Sequence, residues 1–269
     1  MSTIKMAANL LAVPETLIVI FLGLLGLVFG SFTSVLVHRV PNRESIMGRS
    51  KCPHCGNEIS AKYNIPIIGY LLARGRCSKC AQMISLRYPL LELGTSLTVI
   101  VVGFATSNYY QFFAWEIFAI IGLALSVIDL QLKRLPDLLT FPLFIIGLLI
   151  LTLQSWSDNN FEPLVRALEC SAALTLFYLI TMIASRGGMG MGDVKLGLSI
   201  GLFTGYLGAT TTFISSMISF LLGSIVGLLA MILGKATRKT GIPFGPFMII
   251  GALLGPWITQ IVKDFYSLS

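Results

Sequence analysis

The segment LGLSIGLFTGYLGATTTFISSMISFLLGSIVGLLAMILG, residues 196–234, contains no charged side chain in 39 positions. A membrane-spanning helix needs about 20 mostly apolar residues. The segment is therefore too long for one span and about right for two, with a turn expected between Gly205 and Gly208. A chain that contains such a segment is expected to reside in a lipid bilayer.

The rest of the chain repeats this pattern. Hydrophobic residues make up 55% of the sequence and charged residues 12%, with a mean hydropathy of +0.84, whereas soluble domains carry about 25% charged residues. The sequence predicts an all-α polytopic membrane protein with about eight transmembrane helices. The predicted spans are residues 16–37, 89–106, 112–128, 139–155, 164–185, 195–208, 211–234 and 244–262.

The basic residues predict the orientation of the chain. Cytoplasmic loops of membrane proteins carry an excess of Lys and Arg. With the N-terminus periplasmic, the inside segments 38–88, 129–138, 186–195 and 235–243 hold 9, 2, 2 and 3 basic residues, which is 16 of the 19. The net charge of +7 is thus an orientation signal, and no nucleic-acid partner is expected.

A loop of about 50 residues, 38–88, contains four of the five cysteines. Cys52 and Cys55 form one C-x-x-C pair, and Cys77 and Cys80 form a second. Two such turns complete a tetrahedral site, and thiols stay reduced in the cytoplasm. We expect a structural zinc ion here; the alternative is four cysteines without metal. His54 is expected to face water and Cys170 to pack within a span.

Two acids lie at the predicted cytoplasmic boundary. Asp129 ends the third span, and Asp193 precedes the sixth on the same side. Ionisable groups beside a span are costly and usually functional. Two adjacent carboxyl groups can share one proton, so that one activates water while the other polarises a peptide carbonyl. The pattern is compatible with an aspartyl peptidase.

Each acid also has a structural interpretation. Asp137 follows Pro136 and is expected to cap the fourth span. Asp193 is equally placed to cap the sixth span, and Asp129 to pair with Lys133. Glu92 lies early in the second span, where it either holds a basic group of a substrate or pairs with Arg87.

Several motifs in one order resemble the type IV prepilin peptidases. They run from about Gly26 to Pro256: Gly30-Ser-Phe, Arg39-Val-Pro, the two C-x-x-C pairs, Asn64-Ile-Pro, Gly75-Arg-Cys, Ile84-Ser-Leu-Arg-Tyr-Pro-Leu-Leu-Glu-Leu93, Leu135-Pro-Asp-Leu-Leu-Thr140, Gly190-Met-Gly-Asp193 with Lys195, and Ile242-Pro-Phe-Gly-Pro246. The chain departs from the family at Thr33-Ser34, where Leu-Asn is usual, and the segment Tyr63-Asn64-Ile65-Pro66 is one residue short.

The resemblance implies that Asp129 and Asp193 are the catalytic aspartates. It implies cleavage of the basic leader of a prepilin or pseudopilin after a glycine, on the cytoplasmic side of the bacterial inner membrane. It also implies methylation of the new N-terminal amine from S-adenosylmethionine. The sequence has no Gly-rich methyltransferase loop of the soluble kind, so the residues that bind this cofactor stay unassigned. The zinc loop is the first place to look.

The expected division of the chain has three parts. Residues 1–37 form the periplasmic N-terminus and first transmembrane helix, residues 38–88 the cytoplasmic zinc-knuckle domain, and residues 89–269 a seven-helix membrane peptidase core. Two other classes compete with the enzyme: an ion-coupled transporter, whose carboxylates usually lie near the midplane, and a zinc-bearing scaffold without catalysis. The sequence leaves the particular pilin and the oligomeric state open.

Overall fold

The structure, a computed structural model, describes residues 2–185, 188–234, 237 and 241–267. Its regular elements in these ranges are helices, without named strands. The α-helices are α1 Thr3–Leu11, α2 Glu15–Arg39, α3 Ile68–Leu72, α4 Arg87–Ala105, α5 Tyr109–Leu132, α6 Asp137–Ser157, α7 Glu162–Ala184, α8 Met191–Leu207, α9 Ala209–Ile232 and α10 Gly245–Ser267. The basic residues Arg186, Lys235, Arg238 and Lys239, used above for orientation, lie outside the described residues.

The predicted fold class, an all-α polytopic membrane protein, is confirmed. Each of the eight predicted spans corresponds to one long helix, and seven described helices are long and apolar enough to cross a membrane. The remaining long helix, α8, corresponds to the sixth predicted span. It has 17 residues, at the lower end of the usual length of about 17–25 residues for a transmembrane helix. The chain turns between α8 and α9 at Gly208, whose φ is 155°.

Helix α1 was not predicted from the sequence. The hydroxyl of Ser2 accepts a hydrogen bond from the Lys5 N–H at its start. The backbone N–H of Thr3 donates to the Thr106 carbonyl at 2.8 Å, and Ile4 is buried. With 9 residues, α1 is too short to span a bilayer, so the hydropathy pattern contains no signal for it.

The chain divides into two compact units, Met1–Phe112 and Phe113–Ser269. In the first unit, α2 packs on α4 through two glycines. A Cβ at Gly26 would lie 2.6 Å from the Ser96 backbone, and one at Gly30 would lie 2.5 Å from the Glu92 backbone. Small residues at such contacts let helices approach closely in a membrane. The three-part functional division stays a prediction.

In the second unit, α8 is the central helix and contacts α6, α7, α9 and α10. Twelve of its residues are buried, which explains why its sequence is apolar on all sides. A Cβ at Gly201 would lie 2.5 Å from the Ser171 backbone of α7, and Gly205 is equally close to Cys170. This packing fixes α8, and with it the first turn that carries Asp193.

Candidate active site and metal centre

Asp129 lies one turn before the end of α5 and is 5% exposed. Its Oδ2 accepts a hydrogen bond of 2.9 Å from the backbone N–H of Gly245, the first residue of α10. The two residues are 116 positions apart in sequence. The amide at the start of α10 therefore holds the Asp129 carboxyl group in place.

Asp193 lies in the first turn of α8 and is 8% exposed. Its Oδ2 accepts a hydrogen bond of 3.0 Å from the backbone N–H of Gly190. This is the cap geometry that the sequence allowed as an alternative. The capping bond occupies one oxygen of the carboxyl group, so it does not exclude a second role for Asp193.

Leu135 brings the two acids to the same end of the second unit. A Cβ at Gly192 would lie 2.9 Å from the Leu135 Cβ, and a Cβ at Gly245 would lie 3.2 Å from its Cδ2. Leu135 thus contacts both the segment that carries Asp193 and the one that holds Asp129. The two carboxyl groups are near enough for like-charge repulsion, although they do not hydrogen-bond to each other among the described contacts.

The other charged groups near this end have different partners. Asp137 is the first residue of α6, as predicted for a cap, and its Oδ1 also forms a 2.6 Å ion pair with Lys195 of α8. Lys133 acts on Asp129 electrostatically without an ion pair between them among the described residues. The predicted pairing of Asp129 with Lys133 is therefore not the contact that holds Asp129.

Sequence reasoning did not assign Gly245 a role of its own. A Cβ there would lie 2.9 Å from the Asp129 Oδ2, closer than an ordinary contact. The signal was present in the sequence as Ile242-Pro-Phe-Gly-Pro246, but only the folded chain shows that this segment meets Asp129.

We expect Gly245→Ala to reduce the leader cleavage that the resemblance implies roughly 10- to 100-fold, because displacement of a catalytic group by about 1 Å has an effect of that size. The measurement is the initial rate of leader cleavage in detergent. Gly241→Ala is the matched control, since a Cβ at Gly241 would have no neighbour within 4 Å. Equal rates for both variants would contradict the role of the Gly245 amide.

A third buried acid, Glu116, was also missed. It lies on α5, thirteen residues before Asp129, which is about 20 Å along a helix. Glu116 is 6% exposed, and both carboxyl oxygens lack a hydrogen-bond partner among the described residues. Its distance from Asp129 along α5 separates Glu116 from the pair of aspartates.

The four cysteines of the loop meet at one point. The Sγ atoms of Cys52, Cys55, Cys77 and Cys80 all lie within 4.8 Å of one another, and those of Cys52 and Cys80 are 3.9 Å apart. Four thiolates about 2.3 Å from a tetrahedral ion are separated by nearly this distance. The residues therefore fit a metal ion.

Two equivalent turns build this cluster. In each turn the first cysteine's N–H donates to the carbonyl five residues later, Cys52 to Asn57 at 2.9 Å and Cys77 to Gln82 at 2.8 Å. Each first cysteine's carbonyl accepts from the residue four positions later, Gly56 or Ala81, both with positive φ. The repeated geometry points both pairs of sulfur atoms at one centre.

The loop backbone also favours the thiolate forms of Cys55 and Cys77. The amide N–H groups of Cys80 and Lys79 lower the pKa of the Cys77 thiol to about 6. A thiolate is the form that binds metal. His54 is exposed and outside the cluster, and Cys170 packs against Gly205, both as expected from the sequence.

Glu92 does not pair with Arg87, the contact that the sequence suggested. Its Oε2 accepts a 2.7 Å hydrogen bond from the backbone N–H of Ile67. Glu92 is 8% exposed. It therefore belongs to the interior of the first unit.

Two family descriptions match consecutive parts of the chain. "Bacterial Peptidase A24 N-terminal domain" matches residues 24–106, and "Type IV leader peptidase family" matches residues 116–232. The first range contains the cysteine cluster and Glu92, and the second contains both candidate aspartates. Gly245 lies beyond both matched ranges.

Curated relatives match the chain over nearly its whole length. A prepilin leader peptidase/N-methyltransferase of Pseudomonas aeruginosa is 32% identical over 274 aligned positions, covering 90% of this chain and 91% of the relative. Proteins of the same name from Legionella pneumophila and Pseudomonas putida are 32% and 31% identical, with at least 91% of each chain covered. No solved structure matches significantly. With its apolar helices, its cysteine cluster and these relatives, the chain is an integral membrane protein that belongs to the type IV leader peptidase family.

Proposed function

We propose that this protein is a membrane aspartyl peptidase that cleaves the basic leader peptide of type IV prepilins or pseudopilins, with Asp129 and Asp193 as the catalytic pair. We propose further that it methylates the new N-terminal amine. The observation that carries the proposal is that Gly192, next to Asp193, and Gly245, which binds Asp129, both pack against Leu135. The relatives of the chain bear the name prepilin leader peptidase/N-methyltransferase.

The proposed cleavage needs one proton shared by two carboxyl groups. The ionised carboxylate accepts a proton from a water molecule, and the oxygen of that water bonds to the peptide carbonyl carbon. The protonated carboxyl group hydrogen-bonds to the carbonyl oxygen and stabilises its developing negative charge. As the C–N bond breaks, a proton moves to the leaving amine. The pair then again holds one proton.

Backbone amides support this assignment of roles. Gly245 donates to Asp129 and Gly190 donates to Asp193, so one oxygen of each acid is held by a neutral donor. The other oxygen of each acid accepts no hydrogen bond in the described chain and is available to water or substrate. Tyr178, which is fully buried on α7, interacts electrostatically with Asp193.

We propose zinc as the ion held by Cys52, Cys55, Cys77 and Cys80. The donor set of four thiolates suits zinc and has no open position for substrate. When bound, the ion cross-links the two turns of the loop. Its proposed role is therefore structural.

We propose S-adenosylmethionine as the methyl donor. When bound, it would supply a methyl group to the neutral N-terminal amine, which forms when the ammonium group loses one proton; the S–CH3 bond breaks as the N–CH3 bond forms, and a neutral thioether remains. The chain's own contribution is a site that recognises a cation and a heteroaromatic ring.

For localisation we propose a bacterial inner membrane with the N-terminus in the periplasm and the cysteine loop in the cytoplasm. The support is the excess of basic residues in alternate loops, 16 of 19. Labelling of single introduced cysteines with a membrane-impermeant reagent in intact cells tests the orientation.

The function is tested with purified protein, a synthetic prepilin N-terminus with a basic leader, and S-adenosylmethionine. We expect mass spectrometry to show loss of the leader and the gain of one methyl group on the new N-terminal residue. Omission of S-adenosylmethionine should leave cleavage intact and remove the added methyl group. A protein that never cleaves such substrates would refute the peptidase assignment.

A further inference from the structure

Thr140 on α6 and Ser199 on α8 each carry a buried hydroxyl group without a hydrogen-bond partner among the described residues. Thr140 is 2% exposed and Ser199 is fully buried. A buried polar group that forms no hydrogen bond is costly, and native proteins commonly satisfy such groups with ordered water. Both hydroxyl groups therefore need a partner that the packed helices do not supply.

The Thr140 hydroxyl group differs from that of another threonine on the same helix. Thr152 donates to the Leu148 carbonyl, four residues earlier, at 2.7 Å, a common arrangement for Ser and Thr within helices. The corresponding carbonyl for Thr140 belongs to Pro136, and it already accepts the backbone N–H groups of Leu139 and Thr140. The start of α6 thus leaves the Thr140 hydroxyl group available to a partner outside its own helix.

Two contacts between α6 and α8 define the interval in which these hydroxyl groups lie. At the end that carries the acids, the Lys195 Nζ is 2.6 Å from the Asp137 Oδ1 and also lies over the Phe141 ring. Further along both helices, Gly147 packs directly against the Phe203 ring. The faces of α6 and α8 between these contacts are therefore turned towards each other.

Thr140 and Ser199 belong to these facing surfaces. Thr140 follows Asp137 by three residues and Ser199 follows Lys195 by four, and residues three or four apart share a helix face. Apart from Ser199, residues 141–146 of α6 and 196–202 of α8 are apolar or glycine. Two hydroxyl groups in an otherwise apolar interface define a local site for a small polar ligand.

This site lies deeper in the second unit than the candidate aspartates. Ser199 follows Asp193 by six residues, which is about 9 Å along a helix. The Gly190 amide holds one carboxyl oxygen of Asp193, and the other accepts no hydrogen bond in the described chain. A buried water molecule typically forms about three hydrogen bonds, so a short chain of water between Thr140, Ser199 and Asp193 has polar partners at both ends.

We infer, on the basis of the proposed peptidase function, that Thr140 and Ser199 hold the water that supplies leader cleavage. A substrate bound over Asp129 and Asp193 excludes bulk solvent from them, whereas water held between α6 and α8 stays beside them. The oxygen of the reacting water bonds to the peptide carbonyl carbon, one of its protons goes to the ionised carboxylate, and the pair passes a proton to the leaving amine. Thr140 and Ser199 position the water and neither gain nor lose a proton.

Radiolytic labelling of the full-length protein in detergent tests for the water itself. X-ray irradiation converts bound water to hydroxyl radicals, which label adjacent side chains even where bulk solvent does not reach. Leu143 and Leu196 lie in the same interval and are fully buried. We expect both to be labelled in the wild type and to lose most of the label in Thr140→Val/Ser199→Ala.

Cleavage kinetics test what this water does. Thr140→Val removes the hydroxyl group with little change in volume, and we expect kcat to fall about tenfold at unchanged KM, the pattern of an interaction made in the transition state. Ser199→Ala should have a similar effect. Thr140→Ser keeps a hydroxyl group and should stay within about threefold of the wild type. A role in packing alone predicts the opposite order, because serine leaves a cavity that valine fills.

Thr152→Val is the matched control on the same helix. Its hydroxyl group is already bonded within α6, so cleavage and the labelling of Leu143 and Leu196 should match the wild type. Should the Thr140 and Ser199 variants fail to fold, the labelling of the wild-type protein still tests the site.

Two results would overturn the inference while the proposed function stands. One is a wild-type protein in which neither Leu143 nor Leu196 is labelled. The other is wild-type kcat in both Thr140→Val and Ser199→Ala, which would make the water structural and give it no part in cleavage. A wild-type protein that never cleaves prepilin substrates would refute the proposed function itself, whatever the labelling shows.

Discussion

Asp129→Asn and Asp193→Asn should each lower the rate of leader cleavage by at least about 10³-fold, since general acid–base catalysis contributes about 10²–10⁴-fold and the two acids are proposed to act as a unit. Asparagine keeps a carbonyl oxygen that can accept the hydrogen bond from Gly245 or Gly190. The fold should therefore survive while proton transfer is lost. The measurement is single-turnover cleavage of a prepilin peptide in detergent.

Asp137→Asn is the matched control for this experiment. Asp137 belongs to the same end of the second unit, but it pairs with Lys195 and is largely exposed. Exposed ion pairs contribute only about 0–1 kcal/mol, so cleavage should change by no more than a few-fold. The double variant Asp129→Asn/Asp193→Asn should be no worse than either single variant. Substantial cleavage by either single variant would contradict the proposed pair.

The absence of a direct hydrogen bond between the two carboxyl groups bears on how the pair works. Catalytic hydrogen bonds are often long before substrate binds and tighten in the reacting complex. Asp129 is held from α10 and Asp193 by the turn before α8, with Leu135 in contact with both segments. The position of α10 relative to α8 therefore affects the separation of the two carboxyl groups.

The second large effect is expected at the cysteine cluster. Cys52→Ser/Cys77→Ser should reduce bound zinc from about one ion per chain to none, because each turn then offers only one thiolate. The two turns are held by a few backbone hydrogen bonds and have little apolar core, so the loop should lose its fold together with the ion. Elemental analysis of purified protein measures the first effect.

Limited digestion with trypsin measures the second effect, the loss of the loop's fold. Arg49, Lys51, Arg74, Arg76 and Lys79 lie within or beside the turns, and we expect cleavage at these sites to become much faster in the double variant or after chelation. Cys170→Ser should keep the full metal content, because Cys170 belongs to α7 in the second unit. A wild-type protein without metal would refute the metal centre.

Metal loss should leave leader cleavage measurable. The cysteine cluster belongs to the first unit, whereas Asp129 and Asp193 belong to the second. We therefore expect cleavage to persist to a measurable extent in the double cysteine variant.

Hydropathy determined most of the fold. The ends of each predicted span lie within a few residues of the ends of an observed helix. The reason is that long apolar segments are stable in a bilayer only when their backbone N–H and C=O groups hydrogen-bond to each other, as they do in a helix. Hydropathy did not predict α1 and α3, because these helices are too short to produce a recognisable pattern. The turn at Gly208 fell inside the predicted interval because a glycine with positive φ ends a helix at little cost.

The sequence also identified the candidate catalytic and metal-binding groups, because acids and cysteine pairs are rare in an apolar chain and stand out from it. The positions of Asp129 and Asp193 beside predicted spans distinguished them from the other acids. The sequence could not show which groups donate hydrogen bonds to their carboxyl oxygens. The amide of Gly245 lies 116 positions from Asp129, and no local pattern predicts a hydrogen bond between them.

Tertiary structure alone decided the partners of the buried acids. Glu92 bonds to Ile67 instead of Arg87, and Glu116 is buried without a described partner, although both are acids near the start of apolar helices. The physical reason is that the sequence determines which side chains are too polar to face lipid, whereas helix packing determines which polar groups come within hydrogen-bonding distance of each other. Residue type and hydropathy thus defined a membrane protein with two candidate acids and four loop thiols, and only the folded chain brought the members of each group together.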